Sequence, residues 1–157
     1  MIKKFPRYLI KYGILPAIFY TIPLAIFVKD EKFSETWLLY LGNALFLCYI
    51  FIFGIFYAKQ QNIKISPINA ALAVTLMGVI FSCVLAIATV FIFAPGWFNI
   101  GSSNQVLKNT PAALPDKHSH GAIFILFANV IIGNFAAGSF SSVLSAGATK
   151  QIKTPGG

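Results

Sequence analysis

Apolar runs separated by short polar breaks fill the chain, and four of them are long enough to cross a bilayer. About 20 helical residues cover the hydrocarbon core. The runs at about 8–28, 37–57, 67–94 and 121–148 therefore predict an all-α membrane protein. Its expected architecture is four transmembrane helices in an up-down bundle, forming a single domain over residues 1–157. The breaks at 29–36 (KDEKFSET) and 58–66 (AKQQNIKIS) are short, which makes the first three spans antiparallel neighbours.

Each boundary has a local cause. Lys3, Lys4, Arg7 and Lys11 precede the first run, a pattern shared with secretory leaders. Pro16 and Pro23 interrupt that run, however, and it ends in VKDEK with no small-x-small cleavage site, so it reads as a retained span. Arg7 and Lys11 can reach the interface along their alkyl stems. The two prolines predict a bend, or carbonyls left for neighbours to satisfy. Trp37 and Tyr57 bracket the second span as interface anchors. Ser66 followed by Pro67 predicts an N-cap with proline at the first helical position. Pro95-Gly96 ends the third span. Residues 95–120 read as an exposed outer loop, with Trp97, Phe98 and Ile100 at headgroup level.

The last span, GAIFILFANVIIGNFAAGSFSSVLSAGA, is built differently in its second half. Gly133, Ala137, Ser141 and Ser145 fall four apart, and Asn134, Gly138, Ser142 and Ala146 form a row beside them. Two such rows make a shallow groove where another helix backbone can approach closely. That face can dock onto the first three spans, onto a second copy, or onto another protein.

Composition supports lipid as the solvent. The chain is 57% hydrophobic and 10% charged, against roughly 25% charged in soluble domains. A net charge of +8 raises the question of nucleic acid. The basic residues sit at the ends of apolar runs and form no aromatic-interleaved patch, so anionic headgroups are the better partner. Their distribution sets an orientation. The N-terminal segment, the 58–66 turn and the tail carry eight basic residues and no acid. The other two connections carry four basic residues (Lys29, Lys32, Lys108, Lys117) and all four acids (Asp30, Glu31, Glu35, Asp116). Both termini are therefore expected in the cytoplasm, with the protein in a bacterial cytoplasmic membrane.

Candidate chemistry is sparse. The second, third and fourth spans contain no Asp, Glu, Lys, Arg or His. Such residues mark proton relays and ion pathways, so their absence from these spans argues against a proton-coupled pump. A small multidrug exporter would need a membrane Glu in its first span, and a four-helix haem cytochrome would need helical His ligands. A quinone-linked disulfide oxidase would need Cys pairs near the outer loops. Cys48 and Cys83 instead lie inside apolar runs and read as small buried hydrophobes. A disulfide between them would require their helices to meet at matching depth.

Amide and hydroxyl groups remain: Asn43, Thr75, Ser82, Thr89, Asn129, Asn134, Ser139, Ser141 and Ser142. They can tie helices together, or line a path for a neutral solute. Asn43, Asn129 and Asn134 stand out, because an amide in lipid has up to four hydrogen-bonding sites to satisfy. Asp116, His118 and His120, just before the last span, could ligate a divalent metal. A one-residue gap between the two histidines, and no further His in the chain, favour a solvated loop with helix capping by Ser119. No phosphate loop, dinucleotide glycine pattern or nucleophile elbow occurs, and no cofactor is implied.

Over its whole length the chain resembles short four-span bacterial inner-membrane proteins of unknown function. The basic termini, the Pro/Asn-containing outer loop and the small-residue last helix carry the resemblance, which implies a fold but no activity. The leading expectation is a non-enzymatic accessory subunit that packs through its small-residue face against other membrane subunits or itself. The alternatives are a transporter or channel element for a lipid or neutral solute, and a membrane enzyme with a metal at residues 116–120.

Overall fold

The computed structural model describes residues 4–29, 36–59, 65–94 and 117–153. Helices account for nearly all of them: α1 (Lys4–Lys29), α2 (Trp37–Ala58), α3 (Pro67–Phe93), α4 (Lys117–Ala128) and α5 (Asn134–Lys153). A single π turn, Asn129–Gly133, joins α4 to α5 so that the two form one long element. The segments Leu9–Lys29, Trp37–Ala58, Pro67–Phe93 and Ile123–Ala148 are each long and apolar enough to cross a membrane.

Three helix ends and one cap depart from expectation: α1 begins at Lys4, ahead of residue 8, and α5 continues to Lys153, past residue 148. The connection before the last span ends earlier than residue 120, since α4 begins at Lys117 and takes in His118, Ser119 and His120. The remainder of that connection, with Trp97, Phe98, Ile100 and Asp116, lies outside the described residues. Ser66 does hold the N-cap position of α3, in extended backbone with Pro67 behind it, but its hydroxyl makes no capping bond. The proline at the first helical position leaves one fewer unpaired N–H in the first turn.

Each helix buries one stripe. On α1 it runs through Gly13, Pro16, Ala17, Tyr20, Leu24 and Phe27, the three-and-four spacing of one helical face. Pro16 and Pro23 are both on the buried side. The stripe on α2 is Gly42, Phe46, Ile50, Phe53 and Gly54. On α3 it is almost entirely small: Ala70, Ala71, Val74, Thr75, Gly78, Ser82 and Ala86. The last span continues that character through Asn134, Gly138, Ser141, Ser142 and Ser145.

Large side chains from α1 and α2 thus meet small ones from α3 and α5. Phe46, fully buried, is the clearest case. A methyl group built on Gly78 would stand 2.9 Å from its ring, and one on Gly138 3.1 Å away, so the ring occupies space that two glycines leave open. Lipid tails are as apolar as leucine, so helices in a bilayer associate through this kind of close packing and through polar contacts.

α1 packs against α2 and α3, and so does the last span, which places α1 and the last span across the bundle from each other. The outer surface is ringed by large apolar side chains, among them Ile22, Phe56, Ile80, Ile92, Phe124 and Ile132, each more than half exposed. In water such a surface would aggregate, whereas hydrocarbon fits it. Cys48 belongs to this outer surface, contrary to the buried position expected of it, and Cys83 is half-buried; both are free thiols.

Candidate functional site

Two asparagines, Asn129 and Asn134, frame the π turn of the last span. The backbone N–H of Asn134 donates to the carbonyl of Asn129, five residues back, instead of the usual four. In an α-helix five residues leave two side chains about 140° apart. Closing the turn over five residues brings Asn129 and Asn134 toward one side, and single π turns recur at functional sites.

Three helices supply the surroundings. The Tyr20 hydroxyl on α1 donates to Asn129 Oδ1 at 2.9 Å. The Tyr20 ring lies against Gly42 of α2, where a methyl group would come 2.9 Å from Cδ2. The next residue, Asn43, lays its amide over Gly133, with Nδ2 2.8 Å and Oδ1 3.1 Å from where a methyl group would stand. One turn past Asn134, Gly138 faces Thr75 of α3 and Phe46 of α2. The small residues here let the α2 and α3 side chains approach the backbone of the last span.

In the helices that meet here several polar atoms are buried without any hydrogen-bond partner. They are both amide atoms of Asn134, Asn43 Oδ1, Thr75 Oγ1, Ser82 Oγ and Ser139 Oγ. Asn134, Thr75 and Ser82 are completely shielded. Leaving a buried donor or acceptor unsatisfied costs about 1–3 kcal/mol, so each such atom calls for a reason.

The other hydroxyls show that solutions were at hand. Thr21 donates to the Ala17 carbonyl, Thr89 to Leu85, Ser142 to Gly138 and Ser145 to Ser142, all within their own helices. For Thr89 and Ser142 this replaces the interhelical bonding expected from sequence. Ser141 does bridge helices, donating to the Leu47 carbonyl of α2 at 2.8 Å.

The small-residue face is therefore placed. Asn134, Gly138, Ser141, Ser142 and Ser145 are buried, and Gly133, Ala137 and Ala146 are half-buried. Gly133 lies against Asn43 of α2, Gly138 against Thr75 of α3, and a methyl group at Gly54 of α2 would overlap the Ser145 side chain. These contacts are within the chain itself.

Of the metal candidates, Asp116 lies outside the described residues, as do the side chains of His118 and His120. Among the described residues no three of His, Cys, Asp and Glu come together. Tyr20 is a member of the polar centre that inspection of the sequence passes over. Its signal was available: a tyrosine in mid-span, far from either interface, has a phenol that needs a partner. Chemically the centre offers neutral donors and acceptors, suited to a hydroxyl, a carbonyl, an amide or water. Comparison with protein-family models, curated proteins and solved structures finds no match to the chain.

Proposed function

We propose that the chain is a multi-pass protein of a bacterial cytoplasmic membrane that binds a small uncharged hydrogen-bonding molecule at this polar centre and lets it pass between the helices. It carries out no covalent chemistry in this reading. The bundle is up-down with both termini cytoplasmic. In support, Tyr12 near the start of α1 meets Phe53 near the end of α2, and Thr75 early in α3 meets Gly138 within α5. The concentration of basic residues at the termini and the 58–66 turn supports the orientation.

One observation carries the functional reading. Asn134 is fully buried at a helix seam beside a π turn, with neither amide atom partnered. Interhelical glue would use those atoms, and a site for a neutral ligand would hold them ready. The role of accessory subunit rested on the small-residue face. Since α2 and α3 of the same chain lie on that face, assembly would have to use the outer surface of large apolar side chains.

Proteoliposomes test the proposal through osmotic shrinkage with water, urea and glycerol as probes. Wild-type protein is expected to raise permeability above protein-free vesicles for at least one probe. Asn134→Leu is expected to abolish that increment while making the fold more stable by about 1–3 kcal/mol, because an unsatisfied buried amide is removed. Permeability equal to that of protein-free vesicles for all three overturns the passage reading. Co-purification of a stoichiometric membrane partner would then favour the accessory role.

A further inference from the structure

Where α1 begins and α2 ends, a groove of about 440 Å³ opens on the bundle surface, lined by Tyr12, Tyr49, Ile52, Phe53, Phe56 and Lys59. Its walls are aromatic and ordered against one another. Tyr12 and Phe53 have ring centroids 5.3 Å apart, and Phe53 stacks on Tyr57 at 5.8 Å. Two lysines border the groove. Lys59 is part of the lining, and Lys11 Nζ stands 5.8 Å from the centroid of the Tyr12 ring.

No acidic residue occurs within 4–29 or 36–59. Asp30 and Glu31 follow α1, and Glu35 precedes α2, so these acids belong to the opposite ends of both helices. The last carbonyls of α2 disfavour an anion by about half a charge. Two full positive charges outweigh them.

We infer that this groove holds an anionic glycerophospholipid, its phosphate between Lys11 and Lys59 and an acyl chain along Ile52, Phe53 and Phe56. Position, charge and lining agree on that occupant. The groove lies at a span end, where headgroups lie, and Lys and Tyr are the residues that reach that level. Phe56 and Ile52 are 67% and 52% exposed, and both continue the lipid-facing surface into the groove. A zwitterionic lipid would bring its own cation against the two lysines, which gives the site its charge preference.

The test uses the full chain in mild detergent, titrated with dioctanoyl phosphatidylglycerol and, separately, dioctanoyl phosphatidylcholine, with bound lipid read by native mass spectrometry. Preferential retention of phosphatidylglycerol is expected. The double variant Lys11→Gln/Lys59→Gln should weaken that retention roughly tenfold. Lys29→Gln, at the far end of α1, should leave it unchanged. Circular dichroism and elution volume establish that each variant keeps its fold.

Equal retention of the two lipids by wild-type protein overturns the inference without reference to any variant. So does an equal loss on Lys29→Gln, which would mean diffuse attraction, or full competition by excess inorganic phosphate, which would mean a free-anion site. None of these results bears on permeation through the polar centre, so the two proposals can fail separately.

Discussion

Gly138→Ala is the most direct test of how the last span is seated. A methyl group at Gly138 would lie 2.7 Å from Thr75 Oγ1 and 3.1 Å from Phe46 Cε1, and nearer still to Thr75 Cγ2. Neither neighbour can yield easily. Thr75 is fully buried and β-branched, with few rotamers open to it. Phe46 is fully buried and already fills the space beside Gly78. Overpacking of this kind costs about 1–3 kcal/mol, and the absence of a compliant neighbour argues for about 2–3. Alanine recovers about 1 kcal/mol through helix propensity, so the net loss is about 1–2 kcal/mol.

Gly147 is the internal control, because a methyl group there meets nothing within 4 Å. Gly147→Ala should therefore stabilise by up to about 1 kcal/mol, and the two variants should differ by about 2–3 kcal/mol. Reversible unfolding in mixed dodecylmaltoside and dodecylsulfate micelles, followed by far-ultraviolet circular dichroism, measures both. Thr75→Ala in the Gly138→Ala background removes both clashing Thr75 atoms and should restore most of the loss, a coupling of about 1 kcal/mol or more. If Gly138→Ala and Gly147→Ala agree within about 0.5 kcal/mol, the small-residue face does not rest on α3.

Two other outcomes are expected. Tyr20→Phe deletes the 2.9 Å bond to Asn129, and it should destabilise the fold by about 0.6 kcal/mol and at most about 1.7; a stabilised variant in the same micelle assay would contradict the pairing. A fluorescent protein fused after Gly157 should fluoresce and alkaline phosphatase fused there should be inactive, and the reverse pattern would invert the orientation.

Much of this architecture was readable in one dimension because a bilayer constrains a chain strongly. Every backbone polar group must be satisfied within the span, so an apolar run of sufficient length has to be a helix. That is why the helical ends at Trp37 and Pro67 coincide with the polar breaks. Which way each helix faces was less legible, because in lipid the inner and outer surfaces are both apolar. Cys48 shows the difficulty: it sits in an apolar run and yet lies on the outside. The small rows of the last span were the exception, since glycine and serine mark an inward face where hydrophobicity does not.

The sequence by itself determined four apolar runs long enough to cross a membrane, the segregation of charge, and the existence of a slim face on the last helix. It could not say what that face rests on, because close packing depends on the partner's side chains as much as on the glycines. The tertiary structure decided that α2 and α3 of the same chain supply Asn43, Phe46 and Thr75 to it. It also decided that one carbonyl accepts from five residues onward at Asn129, a local choice with no apolar signature, made where Tyr20 from across the bundle takes up the Asn129 amide.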